Sequence, residues 1–363
     1  MIEKSKTMTD VMHFVRRNIQ EMEGYVPGRQ PGPGEEVVKL NTNENPYPPS
    51  NRVKETLLRE LEGGLQLYPD PETRPLKEAA AALYGLDAEQ VICGNGSDEI
   101  LSLIMMVFVN EGDPVAYFDP SYSLYPVLCE IAGAKKTAVD LPRDVSGMIP
   151  PRVKAKVFFL TTPNAPYGFS FDNQWIADFL DTFRGVVVAD EAYVDFAPHS
   201  ALPLLDRYPN LIVVRSLSKS YALAGMRIGL GLASADAVFQ MNKAKDSYNL
   251  NRLSQVAGVA ALSDQEYLQT QVRRIVATRE RFCHRLRELR FEVLPSNANF
   301  VFVLPPAGFE AEDTYHLLYE KGVLVRYFQV PKLRDGLRIS IGTDAQMNLL
   351  LEILEGYVHG QTS

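Results

Sequence analysis

Cysteine is scarce in this chain. Only three occur in 363 residues, at positions 93, 129 and 283, an odd number without paired ligand spacing, which argues against a disulfide framework and a cysteine zinc site. Cys93 falls in an apolar strand and reads as an inert core thiol. Histidine is nearly as rare, with five residues dispersed and no His-x-x-x-His pair, so no metal is expected. His199, in Ala197-Pro-His-Ser200, reads as an exposed loop residue. Positive charge is not in excess. Against 45 acidic residues stand 37 basic ones, a net charge of −8, so there is no general attraction to nucleic acid or to an anionic membrane, and small anions must be caught locally. Long apolar runs are missing as well. Ile104-Met-Met-Val-Phe-Val109 is too short to span a bilayer, and Met1-Ile-Glu-Lys-Ser-Lys6 lacks a signal-type apolar core, which makes cytoplasmic residence the expectation. Repeats and low-complexity tracts are absent too.

What is present is ordinary globular usage, 23% charged and 46% hydrophobic, in a chain long enough for two domains. A helix near Thr9 to Met22 is followed by a Pro/Gly-rich arm from Pro27 to Gly34. From Pro49 to Leu250, helical patterns alternate with strands at Val91–Cys93, Pro114–Phe118, Lys156–Leu160, Val186–Ala189, Leu211–Val214 and Ile228–Leu232. That alternation predicts an α/β domain over 49–250 with a mostly parallel sheet covered on both faces. The pattern from Arg252 to Leu289 predicts one long helix, its Arg273-Arg274 and Arg279-Glu-Arg281 groups forming a solvated face. Short strands at Glu292–Leu294, Ala298–Val303, Val323–Arg326 and Leu337–Ile341 complete a smaller α+β domain, made of 1–48 with 251–363.

Three segments carry chemistry. Ser216-Leu-Ser-Lys-Ser-Tyr-Ala-Leu-Ala-Gly-Met-Arg227 leaves the strand Leu211–Val214 and sets Lys219 among hydroxyls with an arginine downstream. Such a lysine is a candidate nucleophile, since burial and a neighbouring cation favour the neutral amine; the string equally suits an exposed turn. Val186-Val-Val-Ala-Asp-Glu-Ala-Tyr193 ends a β-branched run on two carboxylates and a tyrosine, placing Asp190 and Tyr193 on the crevice rim of an open α/β sheet, or leaving Asp190 or Glu191 to cap a helix. Val91-Ile-Cys-Gly-Asn-Gly-Ser-Asp-Glu-Ile-Leu101 runs from strand through glycines into a helix whose free N–H groups favour an anion, with Ser97 as its N-cap. It is neither a dinucleotide fingerprint nor a P-loop.

These segments, with Gly24-Tyr-Val-Pro-Gly28, Leu40-Asn-Thr-Asn-Glu-Asn-Pro46, Tyr68-Pro-Asp70, Pro120-Ser-Tyr-Ser-Leu-Tyr125, Pro163-Asn-Ala-Pro-Tyr-Gly168 and Gly336-Leu-Arg-Ile-Ser-Ile-Gly342, form an ordered set covering nearly the whole chain. The set resembles the fold type I aminotransferases that use pyridoxal 5'-phosphate. Within them it is similar to the branch acting on histidinol phosphate and 2-oxoglutarate, giving imidazole acetol phosphate and glutamate in histidine biosynthesis. Aromatic or broad-specificity aminotransferases are a close alternative; a lyase resembling threonine-phosphate decarboxylase shares the fold, the lysine and phosphate recognition, but the Gly94-Asn-Gly-Ser-Asp-Glu99 string and the two arginine-bearing strands stand against it. A non-catalytic cofactor-binding protein is the more distant alternative.

The resemblance implies that Lys219 carries the cofactor and then shuttles a proton, that Asp190 pairs with the pyridine nitrogen, that Tyr193 bonds the ring oxygen, and that Tyr122 stacks on the ring. The phosphate would be held by the N–H groups of Ser97 and Asp98, by Ser216 and Ser218, and by Arg227, with Tyr68 reaching it from a second subunit of a homodimer. Arg338 would fix the substrate acid, Arg326 the substrate phosphate, and Tyr25 would close the site from the arm. Many relatives place an asparagine where this chain has Ala165. Asn164 stands one residue early, so its side chain is expected to point the other way, and it is only a weak candidate for the ring oxygen.

Overall fold

The computed structural model describes residues 11–360. Thr9 and Asp10 of the expected first helix, and segment 1–6, lie outside the described residues. In chain order the strands are β1 (Val38–Lys39), β2 (Val91–Asn95), β3 (Pro114–Asp119), β4 (Lys135–Asp140), β5 (Val157–Thr161), β6 (Val186–Asp190), β7 (Leu211–Ser216) and β8 (Ile228–Leu232), then β9 (Glu292–Val293), β10 (Phe300–Leu304), β11 (Val323–Leu324), β12 (Arg326–Tyr327) and β13 (Leu337–Ser340).

The main sheet has the order β2-β8-β7-β6-β5-β3-β4. Every strand runs parallel to the others except β8, which is antiparallel to both its neighbours. Alternation of side chains across the pleat explains why these segments are continuously apolar. Val91, Cys93, Ala116, Phe158, Val187 and Val213 enter a cluster on one face, while Ile92, Val115, Phe159, Val188, Ile212 and Val214 enter another on the opposite face. Full burial of each large side chain contributes about 1.5–3 kcal/mol.

One strand was not anticipated. β4 is an edge strand, largely exposed, with two lysines at its start; polar edges protect against strand addition and carry no apolar signal. The expected helix from Arg252 to Leu289 is two helices, Arg252–Leu262 and Gln265–Glu288, because Asp264 turns its carboxylate onto the N–H of Tyr267 and starts a new helix. Its arginines are not one solvated face. Arg279 is 5% exposed and donates to Ala298 O at 2.8 Å, which satisfies a buried carbonyl in the bend before β10.

The smaller sheet, β12-β13-β10-β9, is antiparallel, and β1 pairs in parallel with β11 beside it. Leu40, Phe300, Val301, Ile339 and Ile341 anchor its core. The helix Arg252–Leu262 lies past residue 250 yet packs on the helices Asn51–Glu62 and Arg74–Tyr84, with Ala257, Ala260 and Ala261 in the core of the main sheet.

Candidate active site

The carboxyl ends of β2, β3, β5, β6 and β7 meet at one edge of the main sheet, and the reversed direction of β8 brings its beginning, and hence Arg227, to the same edge. This is where open α/β sheets hold ligands. A cleft of about 530 Å³ opens there, walled on its other side by residues 41–44, Arg326 and Arg338. Tyr25, Ser97, Asp98, Tyr122, Asp190, Tyr193, Ser216, Ser218, Lys219, Arg227, Arg326 and Arg338 all line it.

Asp190 closes β6 and is 3% exposed. It accepts from Tyr125 Oη at 2.7 Å and from the Ala192 N–H at 3.3 Å; neither partner is a cation. Burial pushes its carboxyl up to about 6, against those two hydrogen bonds. Tyr125 is held by Thr161 at 2.6 Å, and Thr161 by Ser121 at 2.9 Å, so the carboxylate sits at the end of a fixed hydroxyl chain. Glu191, next in sequence, is turned away into a buried pair with Arg215 at 3.0 Å. Neither carboxylate caps an α-helix.

The glycine-rich turn after β2 behaves differently from the expected Ser97 cap. The N-cap position belongs to Gly96, with φ +82° and no side-chain cap, and Ser97 is the first helical residue. The leading N–H groups of the helix Ser97–Phe108 are therefore left for an outside anion. Two glycines make the approach close enough. A Cβ on Gly96 would lie 2.2 Å from an Arg227 nitrogen, and one on Gly229 would lie 2.3 Å from Gly96 C and 2.4 Å from Ser97 N. Around this cradle Arg227 donates to Ser218 Oγ and pairs with Asp98, each at 3.3 Å. Ser216 Oγ accepts the Ser218 N–H at 3.2 Å.

Lys219 extends from the next turn and donates to Thr42 O at 3.2 Å, with Nζ 5.7 Å from the Tyr193 ring centre. Tyr193 packs edge-on to Phe300 at 5.0 Å, and its hydroxyl receives the Asn43 amide at 3.0 Å. Tyr122 stands edge-on to Tyr25 at 5.9 Å and to Tyr125 at 5.7 Å. Burial, with Asp98 beside it, drives the Tyr122 phenol far above its ordinary value, so it stays neutral.

On the far wall, Arg338 donates to Asn41 O at 2.9 Å and lies against Phe300 and Phe328. Its Nε is buried without a hydrogen-bond partner. Burial lowers its pKa, and the neighbouring Arg326 adds to this while Tyr193 opposes it. Arg326 reaches only the Val26 and Pro27 carbonyls and the Phe328 ring. Among the described residues neither arginine pairs with a carboxylate, so the pair forms a two-cation wall awaiting an anion.

Two singled-out residues stand elsewhere. Asn164 does not line the cleft: its amide donates to Pro120 O at 3.3 Å and accepts from the Tyr167 N–H at 3.2 Å, while Ala165 faces the cleft in its place. Tyr68 is 77% exposed and stacks on Tyr248 at 4.4 Å, away from the cleft of its own chain. Asn43 and Tyr125, which the sequence does not mark as site residues, also take part here, and both lie inside strings that carry the resemblance.

Comparison with known proteins adds the family. The model for aminotransferase class I and II matches residues 35–354. The chain belongs to that family. A histidinol-phosphate aminotransferase of Geotalea uraniireducens is 47% identical over 94% of this chain and 98% of its own length. One from Synechocystis sp. is 44% identical over 94% and 97% respectively. Among solved structures, the histidinol-phosphate aminotransferase of Sinorhizobium meliloti in complex with pyridoxal-5'-phosphate superposes with a TM-score of 0.85 at 27% identity, over 96% of this chain and 98% of that one.

The cofactor of these aminotransferases is pyridoxal phosphate, and the residues here fit it. Asp190 is a buried carboxylate without a cation of its own, suited to a protonated ring nitrogen. The glycine cradle suits a phosphate, and the Lys219 amine lines the same cleft.

Proposed function

We infer that the chain transfers an amino group between histidinol phosphate and 2-oxoglutarate, giving imidazole acetol phosphate and glutamate in histidine biosynthesis, with pyridoxal phosphate as cofactor. The observation that carries this reading is one cleft in which Lys219, the cation-less Asp190 and the carboxylate-less Arg338 converge, in a chain 47% identical to a histidinol-phosphate aminotransferase.

When bound, pyridoxal phosphate supplies an electrophilic carbonyl carbon and a ring that takes up the electron pair released as the substrate loses its α-proton. Lys219 would hold that carbon and, once displaced by the substrate amine, carry the proton between carbon atoms. Asp190 would keep the ring nitrogen protonated, Tyr193 would donate to the ring oxygen, and Tyr122 would cover the ring face. Ser97 and Asp98 N–H, Ser216, Ser218 and Arg227 bind the phosphate. Arg338 would take the substrate acid, and Arg326 beside it would help bind the phosphate of histidinol phosphate, so one wall would serve a dicarboxylate and a phosphate monoester in turn. Tyr25 shields the opening from water.

The exposed Leu65, Leu67 and Tyr68 support a homodimer in which Tyr68 reaches the partner's phosphate. Packing of Arg252–Leu262 on the main-sheet helices supports a boundary between the two domains within Gln265–Glu288, beyond the expected residue 250. Three free, buried cysteines accord with a reducing compartment, the cytoplasm.

The direct test follows the absorbance of cofactor-loaded protein on adding histidinol phosphate and then 2-oxoglutarate, with glutamate and phenylalanine as comparison donors. A cycle to the amine form and back, most efficient with histidinol phosphate, is expected. Cycling with phenylalanine alone removes the substrate assignment, and release of carbon dioxide replaces the transfer reaction by a decarboxylation.

A further inference from the structure

We propose that Asn43 is a positioning residue: together with Ser340 it fixes the direction of the Tyr193 hydroxyl hydrogen, so that the phenol donates into the cleft. The inference rests on the pyridoxal phosphate reading and concerns how this chain manages the ring oxygen with no amide at position 165.

An inventory of hydrogens carries it. Asn43 is 1% exposed and held at φ +56°, a left-handed conformation that asparagine tolerates better than most residues. Its backbone N–H donates to Ser340 Oγ at 2.9 Å. The serine oxygen thus accepts there, and its own hydrogen goes to the Asn43 side chain, 2.9 Å away. The amide atom facing the serine is therefore the oxygen. The other end of the same amide is an NH₂ group, which only donates, and it lies 3.0 Å from Tyr193 Oη. Asn43 is the hydroxyl's sole hydrogen-bond partner among the described residues. Accepting from it, the phenol keeps its single hydrogen for the cleft that Tyr193 lines.

The flipped amide would break this chain at both ends. The serine hydrogen would lose its acceptor, and the phenol would face a carbonyl and turn its hydrogen away from the cleft. Asn299 further restrains the segment by donating to Asn43 O at 2.9 Å. Ala165, lining the same cleft, offers no donor. The donor to the ring oxygen would thus be Tyr193, its aim set from Ser340 through Asn43.

Asn43→Asp keeps an acceptor for Ser340 but replaces the NH₂ donor by an oxygen that claims the phenolic hydrogen. The test measures dissociation constants of pyridoxal phosphate, and of its analogue lacking the ring hydroxyl, on cofactor-free protein carrying Asn43→Asp, Tyr193→Phe, or both. With Tyr193 present, Asn43→Asp should weaken pyridoxal phosphate about five- to tenfold. With Phe at 193, or with the deoxy analogue, it should change affinity less than about twofold. Ser340→Ala, which frees the amide to flip, should show the same dependence on Tyr193 with a smaller loss, and serves if Asn43→Asp does not fold. Equal weakening in both backgrounds, or none with Tyr193 present, overturns the proposal. Failure of the unaltered protein to bind pyridoxal phosphate overturns the cofactor reading instead.

Discussion

Asp190 is costly to the protein on its own. Its folded pKa of about 6 lies above the ordinary 3.8, so between about pH 4 and 6 the folded state holds a proton that the unfolded chain has released. Stability from this group is present below pH 4 and is lost as pH rises through 6, by roughly 3 kcal/mol for a shift of about two units. Cofactor-free Asp190→Asn protein should therefore lack that slope in thermal melts and outlast the unaltered protein above pH 6, while binding the cofactor more weakly. Lys219→Ala should abolish transamination and the visible absorbance of the loaded protein, with far-UV circular dichroism unchanged. Arg338, with its buried unpartnered Nε, is likewise held for a ligand. Arg338→Ala should reduce kcat/KM for both glutamate and histidinol phosphate by about 1.5–3 kcal/mol, the range for a lost charged hydrogen bond. Unchanged kinetics with both would remove that role.

At the scale of elements, the reversal of β8 builds the anion site, because it delivers Arg227 to the turn where the helix Ser97–Phe108 begins. Gly229 lies against that turn so tightly that a methyl group would sit 2.3 Å from Gly96 C. Gly229→Ala should cost about 1–3 kcal/mol of stability and weaken phosphate anchoring, read as faster cofactor loss on dialysis. The glycines were legible as an anion-binding start, but which of Gly96 and Ser97 stands at the cap was not, since a cap depends on the local φ and ψ. β4 carries no clear strand signal because none of its residues is buried. The break at Ser263-Asp264 escaped because the apolar pattern runs on across it while a side-chain cap restarts the helix.

Over the whole molecule, residues 40–45 tie the small sheet to the lysine turn. Leu40 bridges Leu324 and Ser340 through its backbone, Thr42 O receives Lys219 at 3.2 Å, and Asn45 donates to Ser220 O at 2.9 Å. The other large-scale feature is an apolar surface where Leu65, Leu67 and Tyr68 are 54%, 69% and 77% exposed, a cluster of the kind that marks an interaction site. Leu67→Asp should shift the protein to a monomer in sedimentation velocity. Tyr68→Phe should leave the proposed homodimer intact and weaken cofactor binding if the hydroxyl crosses to the partner's phosphate. A Leu67→Asp protein that stays dimeric would place the interface elsewhere.

The layered α/β architecture and the family are readable from the residues alone, because apolar periodicity and ordered motifs are local properties of the chain. The sequence also singles out Lys219, Asp190 and Arg227, whose residue types are unusual at strand ends and turns. The turn of Asn164 away from the cleft is already readable from its one-residue offset. The folded chain alone reveals that Asn43 faces Tyr193 across 150 residues and that Arg279 lies buried, donating to Ala298 O. Each of these depends on which polar group finds a partner once water is excluded, and such partners are brought together by packing between distant segments.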